Sequence, residues 1–319
     1  MKVNNIYIGS VSCVSVQDTF DSTTWYKNIL PLPSEQARVK APDYKLYLDP
    51  MATRRMSKIL KNALLTAKQA MERLSVAEID GVVTATAWGC QEDTAKFLDS
   101  FETLGEELLS PTSFIQSTHN TIGGLIAMSV KCNGYNNTIS HDLMSFETAL
   151  LDTVMMMDEQ QAQPMTCYVG GVDELTDLSA GIFNRTKCYT SPYTISEGST
   201  CFLLHNKTTQ HRGASITDIT LSDHEHFNLA DKLAERKPDL IISSMGKAIG
   251  TAIPVIDHKT LCGEFATASA FALFMAFELL QKSDMKVALG LSESLALNKI
   301  AIVNQYQEDR CSYIEIQAC

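Results

Sequence analysis

The sequence predicts an α/β fold with largely buried sheets, and three observations carry that reading. Short apolar runs alternate along the chain with longer stretches whose apolar residues recur at three- and four-residue steps. The short runs are apolar on both faces, as in DGVVTATA at 80–87, which suits strands covered by helices on each side. Strands and helices interleave to the end of the chain with no low-complexity linker between them.

Asn5–Val16 reads as a strand apolar on both faces. Ser57–Leu74 is helical, with Ile59, Leu60, Ala63, Leu64, Ala67, Ala70 and Met71 on one stripe. Asp80–Ala87 is a buried strand and Glu92–Phe101 a helix. Phe114–Met128 starts in a loop and enters a helix at Gly123–Gly124. Asn137–Ser140 is a short strand. Ser145–Met157 is a helix with Ser145 as its N-cap and Glu147 in the first turn, where the helix dipole favours a carboxylate. Met165–Gly170 is a buried strand ending at Gly170–Gly171. Thr200–His205, Ala214–Leu221 and Asp239–Ser243 read as strands, with a helix at Leu229–Arg236. Glu264–Gln281 is a strongly apolar helix, and Lys299–Val303 and Ser312–Ile316 close the chain as strands.

Composition narrows the function classes. The 319 residues carry 26 Lys+Arg against 37 Asp+Glu, a formal charge of −11, which repels nucleic acid overall. Hydrophobic residues at 45% and charged residues at 20% exclude wholesale disorder. Nine cysteines at irregular spacing form no C-x-x-C pair, which excludes a zinc ribbon and a thioredoxin motif and fits reduced cytosolic thiols. The opening MKVNNIYIGSVSCVSV reads as a strand and lacks the long apolar core of a signal peptide. No run reaches the ~18 apolar residues of a membrane span. The expected location is cytoplasmic, with no cofactor and no metal.

General motifs are scarce. There is no G-x-G-x-x-G, Walker loop, G-x-S-x-G or H-E-x-x-H. Ser140-His141-Asp142 has the letters of a triad, but neighbours on a strand point to opposite faces and cannot converge. His224-Glu225-His226 has the spacing of a chelate and reads more simply as a solvated polar turn. His119 is a base by type and reads more simply as a satisfied loop histidine.

One ordered series of segments stands out: RRMSKILKNALLTAKQAM (54–71), GVVTATAWGCQEDTAKFL (81–98), SPTSFIQSTHNTIGGLIAM (110–128), GYNNTISHDLMSFETALLD (134–152), VGGVDEL (169–175), SEGSTCFLL (196–204) and KTLCGEFATASAF (259–271). Together they resemble the β-ketoacyl synthase family of the thiolase fold, most of all the short synthase-like subunits of aryl polyene and flexirubin-type pathways. The resemblance implies a five-layered αβαβα body of two similar halves, 1–180 and 181–319, packed as one compact unit.

The resemblance also assigns positions. A condensing enzyme seats a cysteine at a sharp strand-to-helix turn, where the helix N-terminus helps hold the thiolate. Two histidines polarise the malonyl thioester and a lysine orients one of them. Here that turn is Ile139–Ser145, and the cysteine position falls on Leu143, or on Met144 in the adjacent register. The second histidine position, after Lys259-Thr-Leu-Cys-Gly263, holds Glu264. The first falls nearest Met245, and the Gly-rich loop near the C-terminus reads NQYQEDR (304–310). Of the catalytic set only Lys259 is retained, and Leu or Met cannot carry an acyl group as a thioester.

The resemblance therefore implies a non-catalytic, chain-length-factor-like subunit. Its partner would be an active ketoacyl synthase in a heterodimer, with an acyl carrier protein as a further partner. Gly170, Gly171, Gly198 and Gly263 would serve tight turns, and Ala268, Ser269 and Ala270 would permit close helix packing. Arg54-Arg55-x-x-Lys58 is a local basic patch for a carrier. Two alternatives stay open: an acyl-transfer enzyme using Cys90 or Cys262, each otherwise a small buried hydrophobe, and a homodimeric scaffold that binds an acyl chain or carrier.

Overall fold

The computed structural model describes residues 1–105, 109, 111–160, 163–187, 189, 192–207, 213–223, 228–244, 251–306 and 310–319. Ten strands, β1 (Tyr7–Val14), β2 (Gly81–Ala85), β3 (Tyr135–Ile139), β4 (Thr166–Asp173), β5 (Gly198–His205), β6 (Ala214–Asp223), β7 (Leu240–Ser243), β8 (Val255–Ile256), β9 (Lys299–Tyr306) and β10 (Arg310–Ala318), form one sheet in the order β3-β2-β4-β5-β1-β6-β10-β9-β7-β8.

That order is one pattern written twice. Read inward from either edge, it runs β3-β2-β4-β5-β1 on one side and β8-β7-β9-β10-β6 on the other. In each half the outer three strands pair in parallel and the next two pairings are antiparallel. The halves join through β1 and β6, where only Tyr7↔Ser215 and Ile8↔Ala214 are in register.

Alternation along the strands builds the layers. In the first half Val83, Cys167, Val169, Phe202 and Leu204 face inward, while Val82, Tyr168, Val172, Cys201 and Leu203 face outward under the Lys58–Leu74 and Thr121–Ser129 helices. In the second half Leu240, Ile242, Ile300, Ile302 and Ile314 face inward, while Ile241, Ala301, Val303 and Tyr313 pack outward against Leu233 of the Leu229–Arg236 helix. Both inner faces share one core with the Ser145–Glu159 and Ala268–Gln281 helices, which touch each other. The result is helix, sheet, helix, sheet, helix. The Ala268–Gln281 helix is buried from Ala268 to Leu279, which explains why its sequence is apolar all round.

Several expectations need correction. Phe114 lies not in a loop but in a short helix, Pro111–Gln116, whose Phe114 ring meets Phe97 at 5.3 Å. The apolar helix starts at Ala268, because Glu264 first bridges to Ile195 and residues 266–267 form a turn. Gly170, Gly171 and Gly198 sit within strands rather than turns. Space explains two of them: a Cβ on Gly171 would lie 2.9 Å from the Thr267 Cβ and 3.0 Å from the Ala270 Cβ, and one on Gly198 would lie 2.7 Å from the Phe265 ring. Gly263 is the turn glycine, at φ 78°.

Candidate functional site

The strand-to-helix elbow is built from its own backbone. The Thr86 N–H donates to the Ile139 carbonyl at 3.1 Å, which carries β3 up to the turn. Asp142 then adopts a left-handed conformation, φ 49°, and the helix begins at Ser145. Ser145 is not the N-cap, which is Met144. Its hydroxyl turns back, donating to the Asp142 carbonyl at 2.6 Å and accepting from the His141 N–H at 2.9 Å. Glu147 stands in the first turn of the helix as expected, and its carboxylate is also fully buried, accepting from Ser312 at 3.1 Å and from the Tyr306 hydroxyl.

At this elbow Leu143 is half-buried and Met144 is 5% exposed. The Ser140 hydroxyl donates to the Ala87 carbonyl at 3.2 Å, and His141 Nδ1 pairs with the Thr148 hydroxyl at 2.9 Å. The three side chains with triad letters thus form no relay.

The second part of the site follows the short Lys259–Cys262 helix. Gly263 turns the chain so that the Glu264 N–H donates to Thr194 O at 2.7 Å and its carbonyl accepts from Ser196 N at 2.9 Å. This places Glu264, 4% exposed, where Lys259 Nζ lies 2.7 Å from both of its carboxylate oxygens. The Tyr193 hydroxyl contacts the Asp257 carboxylate and lies 2.9 Å from the Ser244 carbonyl, and Lys259 sits 5.9 Å over the Tyr193 ring. Burial pushes the Asp257 carboxyl above its ordinary range.

One buried carboxylate that sequence reasoning missed links these parts. Asp173, at the end of β4, accepts from the Thr86 hydroxyl and the Ala87 N–H at 3.0 Å each, and from Thr267 N at 3.0 Å. The first two contacts hold the end of β2, where Ser140 docks. The third holds the residue three past Glu264. VGGVDEL flagged the segment but not this role.

Among the sequence-derived positions, the structure brings Lys259 and Glu264 together and places Leu143 and Met144 on the elbow. Met245, His224, Glu225, His226 and part of the 304–310 loop lie outside the described residues. His258, next to Lys259, is fully buried with no partner for either ring nitrogen among the described residues, and burial holds its imidazole well below the usual histidine range. Cys90 and Cys262 are also fully buried, and burial pushes both thiols up, away from thiolate character. The eight cysteines among the described residues are unbridged.

Residues 24–172 match the family model described as the N-terminal domain of β-ketoacyl synthase. A type II polyketide ketosynthase complex with its acyl-carrier protein superposes with TM-score 0.80 at 12% identity, covering 100% of both chains. The chain is β-ketoacyl synthase-like. A ketosynthase in complex with its chain length factor from Xenorhabdus doucetiae superposes with TM-score 0.74 at 15% identity, covering 98% of each chain. A β-ketoacyl synthase from Burkholderia phymatum STM815 superposes with TM-score 0.71 at 13% identity, covering 100% of each. No curated protein matches the sequence. The five-layered thiolase-like architecture is therefore shared along the whole length, and the ketoacyl synthase-like chain carries Leu143 at its elbow and a buried Lys259–Glu264 pair.

Proposed function

We propose that this chain is a non-catalytic partner of an active β-ketoacyl synthase, acting like a chain length factor in polyene or fatty-acid-type biosynthesis. The observation that carries the reading is the hydrocarbon side chain of Leu143 at the turn where the family seats its attacking sulfur. Glu264 supports it. A carboxylate clamped by Lys259 cannot do the work of a histidine that donates to a thioester carbonyl. The buried thiols of Cys90 and Cys262 argue against a substitute nucleophile.

The partner would dock along β3. This strand pairs with β2 on one side and has no strand on its other side among the described residues. Tyr135 at its start is 38% exposed. An open edge is a ready template for a second sheet. In the dimer, side chains around the silent elbow would line or block the tunnel that holds the growing chain. The carrier protein would dock on the catalytic subunit, or here at the exposed Arg54, Arg55 and Lys58. The reading places the chain in the cytoplasm, where unbridged thiols persist, and treats its two halves, 1–180 and 181–319, as one compact unit.

The test is expression alone and together with the neighbouring synthase, followed by product analysis. Co-purification and a product whose length changes when Leu143 or Met144 is resized support the reading. Unchanged activity and chain length without this subunit defeat it, and a soluble homodimer of the lone chain would then favour a self-associating scaffold.

A further inference from the structure

A cleft away from the elbow opens where the two halves of the sheet part. β1 leaves β6 after Ile8, and Gly9 is the extra residue of a bulge against β5, with Ile8↔Leu204 followed by Ser10↔Leu203. The gap of about 270 Å³ is lined by Gly9, Val11, Arg73, Phe277, Glu278 and Lys282, among others.

Its charges are unevenly spent. Glu278 is paired with Lys282, which also donates to the Thr23 carbonyl at 2.7 Å. Arg73 is exposed and donates from Nη1 to the Val11 carbonyl at 2.6 Å. Among the described residues no carboxylate is hydrogen-bonded to it, although the Glu278 charge lies near, and none of them accepts from its remaining N–H donors. On a chain of net charge −11, this cleft holds two cations and one anion. Ser10, Thr19, Ser22 and Thr23 line much of the rest, and Phe274 and Phe277 floor it at 2% and 8% exposure.

We propose that this cleft binds a small organic monoanion, a carboxylate with a short apolar tail. The guanidinium fork fits a carboxylate through two parallel hydrogen bonds. The apolar floor at Phe277 and Val11 meets the hydrocarbon. The Glu278 carboxylate disfavours a dianion, so inorganic phosphate is a poor fit. The site is separate from the elbow and does not depend on the proposed partner role.

The test is calorimetric titration of the full chain with octanoate, with octanol and inorganic phosphate as comparison probes. Octanoate binds saturably and more tightly than either. Arg73→Gln weakens it about tenfold or more, Arg73→Lys weakens it less, and Glu278→Gln strengthens it several-fold. The gain in Glu278→Gln is an effect that a merely damaged fold would not produce, so it decides the matter if Arg73→Gln misfolds. The proposal is overturned if folded Arg73→Gln binds octanoate like the parent, if octanol binds equally well, if phosphate binds more tightly, or if octanoate does not bind at millimolar concentration.

Discussion

Lys259 holds its ammonium 2.7 Å from each carboxylate oxygen of Glu264, and both side chains are nearly out of water, at 12% and 5% exposure. Such a pair contributes little relative to apolar residues of the same shape, but losing one partner strands a buried charge. Lys259→Ala is expected to destabilise by about 3–5 kcal/mol, while Lys259→Met with Glu264→Leu costs much less. Urea unfolding of the two variants checks this. Equal losses would show that the pair stabilises through attraction alone.

Glu174 gives the fold a pH dependence. Burial pushes its carboxyl from 4.5 up to about 7, with Glu92, Asp93 and Glu197 adding like charge and the Glu92 N–H, at 2.9 Å, pulling the other way. The folded state holds this proton more tightly than the unfolded chain. The stabilisation is therefore complete below pH 4.5 and is lost as pH rises through about 7. The shift corresponds to about 3 kcal/mol. Glu174→Gln should remove that slope while leaving stability at pH 4 nearly unchanged. Chemical denaturation at pH 4 to 8 is the measurement, and an unaltered slope in the variant would contradict the assignment.

At Gly171 the start of the Ala268–Gln281 helix packs tightly against β4. The space for a Cβ is taken by Thr267 and Ala270, at 2.9 and 3.0 Å. Gly171→Ala should cost about 1–3 kcal/mol through overpacking, seen as a lower melting temperature. The companion change Ala270→Gly should recover part of the loss.

The edge of β3 has a defined outward face. The Tyr135 N–H donates to Asp80 and the Ile139 carbonyl accepts from Thr86, so the backbones of 135, 137 and 139 point toward β2. Asn136 and Thr138 point away. The Thr138 N–H is covered by the Asn137 side chain at 2.9 Å, which leaves Asn136 to offer its N–H outward. Asn136→Pro removes that donor at a position where an edge strand tolerates proline. It should abolish co-purification with the synthase and lower the melting temperature of the lone chain only slightly. Retained co-purification would move the interface elsewhere.

Much of the fold was legible from period alone. The helix at 58–74 and the strands at 81–85 and 198–205 carry strong patterns, because each buries a continuous face. β8 was invisible, since two residues hold no period. The Asp177–Thr186 helix was missed although Thr176 and Ser179 form a capping box at its start, a local signal that was there to be read. The doubled strand order was also hidden, because it is stored in pairing and not in repeated residues. At the site, the elbow and Lys259 were found through motif order. The roles of Asp173 and Glu147 were not, because their partners lie 86–94 and 157–165 residues away in sequence.

The place of β1 has a consequence for biogenesis. Tyr7–Val14 is synthesised long before both its neighbours, β5 and β6, which begin near residues 198 and 214. At about 5–20 residues per second the ribosome takes roughly ten to forty seconds to deliver them. For that interval an apolar ribbon with two open edges hangs from the nascent chain, and holdase chaperones gain a long window on this strand.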